Sequence, residues 1–148
     1  MIVGVGIDMV EVERMRRLLQ RKGARALTRL FTPGELTYAR THPEPERQLA
    51  ARVAAKEAAY KALSGNHLAN AIGWRELEVV SQRGQAPVLV LHGRARTRAI
   101  ELGVVRVHLS ITHTEHMAAA YVVAERTTEA GVKLHESLTE TGDTTYDS

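Results

Sequence analysis

The sequence predicts an α+β domain in which a small, mainly antiparallel sheet packs against a long alanine-rich helix and several shorter helices. Three observations lead there. Apolar, largely β-branched runs at 2–8, 104–112 and 117–125 read as strands. Residues 46–63 are rich in alanine and carry their larger apolar side chains at helical spacing. Arg83-Gly84-Gln85 separates two further short apolar runs as a hairpin turn would.

The first run, MIVGVGID, contains Gly4 and Gly6, so it reads as a buried strand whose backbone another element approaches closely. It lacks a basic leader and meets Asp8 almost at once, which is unlike a signal peptide. From Val10 to about Lys22, Val12, Met15, Leu18 and Leu19 recur at helical spacing. Glu11 and Glu13 sit in the first turn and arginines later, as the helix macrodipole favours, and Gly23 is the expected stop. Thr32-Pro33-Gly34-Glu35 matches a capping box with proline at the first helical position, predicting a short helix to about Arg40. His42-Pro43 and Pro45 mark a turn. The main helix is expected from about Glu46 to Leu63, with Leu49, Val53, Tyr60 and Leu63 on one apolar face, Glu57 beside it and Gly65 past its end.

After a loop over 64–73, strands at 74–81 and 87–92 form the first hairpin, and a helix spans about Arg94 to Leu102 before Gly103. The runs 104–112 and 117–125 form a second hairpin, with the polar HTEH between them placing His113 at its tip. From Arg126 the chain has no clear period and is rich in Thr, Glu and Ser. The expected organisation is one domain over 1–125 and a polar, flexible tail over 126–148.

Composition narrows the function classes. At 148 residues the chain fits one domain with one core. No apolar run approaches the roughly 18 residues of a membrane span. With no cysteine, disulfides and thiolate metal sites are excluded, which suits the reducing cytoplasm. The net charge of +3 conceals an asymmetry: residues 126–148 carry two basic and five acidic side chains. Residues 1–125 carry 18 basic against 12 acidic side chains, a net +6 that favours an acidic partner. Few aromatics and no block of lysine or arginine speak against nucleic acid as that partner.

Taken singly, the chemistry-bearing residues have ordinary readings. Asp8, where a strand meets a helix, suits a cap; Glu57 and Lys61 form an i,i+4 pair worth a few tenths of a kcal/mol. Arg14, Arg17 and Arg21 share a helical face that solvent would cover. His113 fits an exposed hairpin, and with His108 and His116 it matches no zinc signature with a third ligand nearby.

Taken together, three motifs change the reading. Gly4-Val5-Gly6-Ile7-Asp8, followed by Val10 to Arg14, resembles the opening GxGxD with a downstream arginine of the short phosphopantetheinyl transferases that activate acyl carrier proteins. The stretch from Ala51 to Leu63, which contains Arg52, Lys56, Glu57 and Lys61, is similar to that family's RFAAKEAxxKAL. His108-Leu109-Ser110-Ile111-Thr112-His113 resembles its HxSxSH, and Phe31 to Leu36 its FTxxEL. The tryptophan-led hairpin of the family is matched from Trp74 to Pro87, so the resemblance spans nearly all of residues 2–125. Two positions depart from it: Val53 replaces a usual phenylalanine, and Thr114 stands where many members carry Asp.

The resemblance implies transfer of the phosphopantetheine arm of coenzyme A to a serine of an acidic acyl carrier protein, with Asp8, Glu57, Lys61 and His113 as catalytic residues; the alternative is a non-catalytic carrier-binding or assembly protein on the same fold, which Thr114 favours and the retained catalytic set opposes. A diphosphate donor needs its charge neutralised and its geometry held in line, work usually done by magnesium and cationic side chains. Magnesium takes oxygen ligands, commonly one or two carboxylates plus substrate phosphates, which Asp8 and Glu57 would supply. Arg52, Lys56, Lys61 and His113 are expected at the coenzyme A phosphates. The serine proton has two candidate acceptors, Glu57 and a metal-bound water. The carrier-binding surface falls on Arg14, Arg17, Leu18 and Arg21. The presence of one set of motifs, where longer relatives carry two halves, implies a homotrimer with coenzyme A bound between subunits.

Overall fold

The computed structural model describes residues 1–128. Its elements are β1 (Ile2–Glu11), α1 (Val12–Leu30), α2 (Pro33–Arg40), α3 (Pro45–Ala62), α4 (His67–Asn70), a 3-10 turn at Trp74–Glu76, β2 (Leu77–Val80), β3 (Val88–Leu91), α5 (Gly93–Glu101), β4 (Val104–His113) and β5 (Met117–Arg126). Strands β1, β5 and β4 form one antiparallel sheet in that order, and β2 pairs with β3 in a separate hairpin. The expected class is what folds. Of the expected tail, 129–148 lie outside the described residues, while Arg126 still belongs to β5.

Helix α3 is the centre of the molecule. It lies across β1 and β5, and Ala50, Ala54, Ala55, Ala58 and Ala59 are fully buried. The small side chains let its backbone rest on the sheet. Gly4 and Gly6 complete that fit: a methyl group on Gly6 would overlap the Ala58 carbonyl oxygen, and one on Gly4 that of Ala62. The expected single apolar face needs correction, because α3 is enclosed almost all round, with sheet on one side and α1, α2 and β2 on the others. Beyond its first turn, half-buried Val53, Glu57 and Tyr60 and exposed Lys61 mark the side left open.

The first strand also departs from expectation, since only one of its faces is covered. Gly6 and Val10 point at α3, whereas Val5, Ile7 and Met9 on the opposite face are 51%, 59% and 60% exposed. Tyr121 of β5 pairs with Ile7 and shares that face. No helix among the described residues is long and apolar enough to cross a membrane.

Gly23 ends the first helical segment as expected, with φ 58° and ψ −149°, a conformation suited to glycine. The chain then resumes helix to Leu30, a segment absent from the sequence reading. The α2 capping box forms as expected: Glu35 N donates to Thr32 Oγ1 at 3.2 Å, and Thr32 N donates to Glu35 Oε1 at 2.9 Å. At the far end of α3, Arg98 of α5 donates to the Leu63 and Ser64 carbonyls, both at 2.9 Å, satisfying acceptors that the helix terminus leaves open.

Candidate active site

Of the four expected catalytic side chains, Asp8 and Lys61 meet where β1 passes beneath the end of α3, and Glu57 lines the same cleft as Asp8. Asp8 lies on the α3-facing side of β1, in register with the buried Ala120. Lys61, near the end of α3, donates to the Ile7 carbonyl at 2.8 Å and to Asp8 Oδ1 at 3.3 Å. The glycine motif produces this meeting, since only at the approach that Gly4 and Gly6 permit does the Lys61 ammonium reach the β1 backbone. Val53, Glu57 and Lys61 follow one another at four-residue spacing, so they share one stripe of α3. Among the described residues Glu57 has no salt-bridge partner, and it lines two adjoining cavities.

The larger cavity is a cleft of about 1010 Å³ between α1 and α3. Asp8 and Glu57 lie in it with Arg14, Arg17, Leu18 and Arg21, all four expected on the carrier-binding face. Lys22, Arg25 and Arg29 line it as well. The last two come from the segment beyond Gly23; their spacing of four residues, with Leu30 following, was the signal available in the sequence. Two carboxylates thus lie in a cleft lined mainly by cationic side chains, a charge balance that favours an anionic occupant. The smaller cavity, about 280 Å³, is walled by Tyr60, Asn70, Ile72, Trp74 and Leu77 and meets the cleft at Glu57 and Trp74. Of these only Trp74 stood out in the sequence; the rest lie on loop 64–73 or are ordinary core residue types.

Arg52 and Lys56, expected at the coenzyme A phosphates, are both buried, although Lys56 also lines the smaller cavity. The Lys56 side chain is 0% exposed, and its ammonium donates to Glu35 Oε1 at 2.8 Å and to the carbonyls of Trp74 and Leu77 at 2.8 and 2.7 Å. Its three protons are thereby committed. Burial pulls the Lys56 pKa down, opposed by the Glu35 carboxylate. Glu35 in turn accepts from Val79 N at 3.2 Å, so one ion pair ties α2, α3 and β2 together beneath Trp74. Arg52 is also enclosed: it donates to the Gln48 carbonyl at 3.1 Å and to Ser81 Oγ at 3.0 Å, with its guanidinium 4.3 Å from the centre of the Tyr38 ring. Burial lowers its pKa too, and Arg52 Nε has no hydrogen-bond partner.

His113 does not join the cleft of its own chain. It ends β4 opposite Ala118 of β5, which in turn faces Val10 of β1. It is therefore two strand spacings, about 9.5 Å, from β1 and stands exposed at the edge of the sheet. Thr114, beside it, shapes the turn: its hydroxyl accepts from Met117 N at 3.1 Å and from His116 N at 3.3 Å. A short acidic side chain would make the same turn, so the departure at 114 leaves the hairpin intact. The His116 carbonyl accepts from Val12 N at 2.9 Å, which holds the tip against the start of α1.

Comparison with known proteins identifies the family. The 4′-phosphopantetheinyl transferase superfamily matches residues 4–124. A holo-[acyl-carrier-protein] synthase of Koribacter versatilis is 44% identical over 125 residues, 84% of this chain and 99% of that protein. The crystal structure of holo-[acyl-carrier-protein] synthase from Neisseria meningitidis superposes with a TM-score of 0.74 at 31% identity, covering 85% of this chain and 100% of that one. The enzyme from Bacillus anthracis in complex with CoA (3′,5′-ADP) gives a TM-score of 0.68 at 30% identity, covering 86% and 99%. Helix α3 laid on a glycine-bearing strand, with Asp8 and Lys61 at their junction and Glu57 in the adjoining cleft, is thus the scaffold of a chain that belongs to the 4′-phosphopantetheinyl transferase superfamily.

Proposed function

We infer that this chain has holo-[acyl-carrier-protein] synthase activity, moving the 4′-phosphopantetheine group of coenzyme A to a serine hydroxyl of an apo acyl carrier protein and releasing 3′,5′-ADP. The observation that carries this reading is the convergence of Asp8, Glu57 and a row of arginines in one cleft of a chain from this superfamily. In the reaction the serine oxygen bonds to the phosphorus that bears pantetheine, and the bond from that phosphorus to the bridging oxygen breaks. The electron pair leaves with 3′,5′-ADP, and the serine proton passes to Glu57 or to water.

Magnesium fits the residues present. Asp8 and Glu57 offer an all-oxygen donor pair, which suits an ion usually held by one or two carboxylates with phosphate and water in its other positions. When bound, the ion neutralises charge on the diphosphate. The chain's own residues do the rest. Lys61 fixes the Asp8 carboxylate through its contacts to Ile7 and Asp8, and its half-exposed ammonium is free to meet a phosphate oxygen. Arg52 and Lys56 act from beneath by holding α2, β2 and the Trp74 turn against α3. Arg14, Arg17, Leu18 and Arg21, with Arg25 and Arg29, receive an acidic carrier, where complementary charge mainly raises the association rate and sharpens partner choice.

The assembly we propose is a homotrimer with its sites between subunits. Two features support it: the uncovered apolar face of Val5, Ile7, Met9 and Tyr121, and the placement of His113 away from the Asp8–Glu57 cleft of its own chain. A neighbouring copy would supply its own His113 to the coenzyme A phosphates. The cysteine-free sequence suits the cytoplasm, to which we assign the reaction.

Intact-mass analysis of apo acyl carrier proteins incubated with the protein, magnesium and coenzyme A tests the activity. The expected result is a gain of one phosphopantetheine on at least one carrier, and no gain on any carrier would refute the reading. In the same assay Arg14→Glu is expected to raise the carrier KM about tenfold or more and leave the coenzyme A KM unchanged, since it reverses a charge on the carrier wall only. An equal loss toward both substrates would remove the docking role.

A further inference from the structure

The cleft between α1 and α3 carries more positive charge than its own carboxylates balance. Arg14, Arg17, Arg21, Lys22, Arg25 and Arg29 line it with Asp8 and Glu57, six cations against two anions. Among the described residues only Arg17 of the six has an ion-pair partner, Glu13 at 3.5 Å. Opposite charge is present in the same chain. Residues 129–148 hold Glu129, Glu136, Glu140, Asp143 and Asp147 against a single Lys133, a net side-chain charge of −4 in 20 residues. The segment lies beyond residues 4–124, the part that the superfamily shares, so it is an addition to the common scaffold.

We propose that the C-terminal segment 129–148 is an intramolecular ligand of this cleft, occupying the cationic wall of α1 and competing there with the acidic carrier. The proposal rests on the transferase reading above and concerns how access to that site is controlled. Reach permits it. β5 ends at Arg126, whose N–H donates to the Met1 carbonyl, and Glu125 pairs with Ile2, so the segment starts close to the first residues of β1. From Ile2 to Asp8 the strand advances about 20 Å at about 3.4 Å per residue. The segment, fully extended, spans up to about 70 Å, enough to cover that distance and still lay carboxylates along α1. Charge selects the place: Val5, Ile7, Met9 and Tyr121 on the uncovered sheet face offer five carboxylates no counter-charge, whereas the cleft offers six cations. A tethered competitor acts at an effective concentration on the order of millimolar, so even a weak contact keeps a fraction of the clefts occupied. The carrier must then displace the segment before it docks.

The test uses the full chain carrying Glu129→Gln, Glu136→Gln, Glu140→Gln, Asp143→Asn and Asp147→Asn, beside wild type, on an apo acyl carrier protein that wild type modifies. Neutralisation is expected to lower the carrier KM about threefold or more at low salt, with kcat and the coenzyme A KM unchanged. A peptide of sequence 129–148, added at millimolar concentration to the neutralised chain, should raise the carrier KM again by competing with the carrier and not with coenzyme A. Independently of activity, a carbodiimide, which joins carboxylates to amines in contact, should link Lys22 to an acidic residue of 129–148 in wild type, and excess apo carrier should abolish the link. An unchanged carrier KM on neutralisation would refute the proposal. So would an effect on thermal unfolding or oligomeric state alone, the mark of a segment laid on the apolar sheet face instead. Wild type that modifies no carrier would overturn the transferase reading; the Lys22 cross-link then decides where the segment sits, and its absence rules out the cleft.

Discussion

Glu57→Gln is expected to lower the turnover of carrier modification by a hundredfold or more while leaving the fold intact. Glu57 is half-buried at the junction of the two cavities and has no salt-bridge partner among the described residues, so the amide, which keeps its shape, disturbs no contact that holds α3 in place. What it removes is charge. In the site proposed above, which would hold a cation and a diphosphate together, losing a carboxylate takes away stabilisation acting where charge shifts in the transition state, typically about a hundredfold or more in rate. Asp8→Asn should share the loss in rate and differ in stability, because it also removes the ion pair that Lys61 makes at 3.3 Å. That pair is half exposed and contributes little to folding, so unfolding temperature should fall only slightly. Steady-state rates at several magnesium concentrations, read beside thermal unfolding, check both. A Glu57→Gln protein with wild-type turnover would show that the carboxylate takes no part.

The largest effect on stability is expected at Glu35, a residue outside the cleft. Glu35→Ala would strand the Lys56 ammonium, fully enclosed and within 2.7–2.8 Å of two carbonyl oxygens but with no counter-charge. Breaking a buried pair from one side costs about 3–5 kcal/mol, more than a surface pair by a wide margin. The same substitution removes the side chain that closes the α2 capping box and accepts from Val79 N, which adds to the loss. Replacing both partners, Glu35→Ala with Lys56→Met, should recover part of it, since no unpaired charge then remains. Chemical denaturation of the two variants against wild type decides: a double variant no more stable than Glu35→Ala would mean that the pair is not what holds α2 and β2 to α3.

Much of this architecture was legible because its signals are local. The Thr32-Pro33-Gly34-Glu35 cap, the turn at Gly84 and the two long strands before and after HTEH are set by neighbours in sequence. Gly4 and Gly6 announced a close approach, and α3 turned out to be the element that makes it. What was hidden depends on tertiary placement. Lys56 and Arg52 carry ordinary surface charges in sequence, and only the packing of α2 and β2 around α3 encloses them. A strand as continuously apolar as β1 reads as covered on both faces, yet α3 covers one, and the other shows Val5, Ile7 and Met9 to the exterior. Gly23 stops the first helical segment as read, but nothing at the glycine announced that a second segment follows across the kink, which brings Arg25 and Arg29 into the cleft with Arg14 and Arg21. For the candidate site, Asp8, Glu57 and Lys61 could be named from their motifs, whereas the separation of His113 from them follows from the strand order β1-β5-β4, which no local pattern encodes.

We propose that Asp8 and Glu57 act as one site for a metal ion and the diphosphate of coenzyme A. A crystal structure of the protein with coenzyme A and Mn²⁺, the ion located by its anomalous scattering, tests it most directly. One ion bonded to both carboxylates and to a diphosphate oxygen, each at about 2.1 Å, is expected, with the Lys61 ammonium beside the phosphate. An ion or diphosphate bound elsewhere, with Asp8 and Glu57 on separate partners, would contradict it.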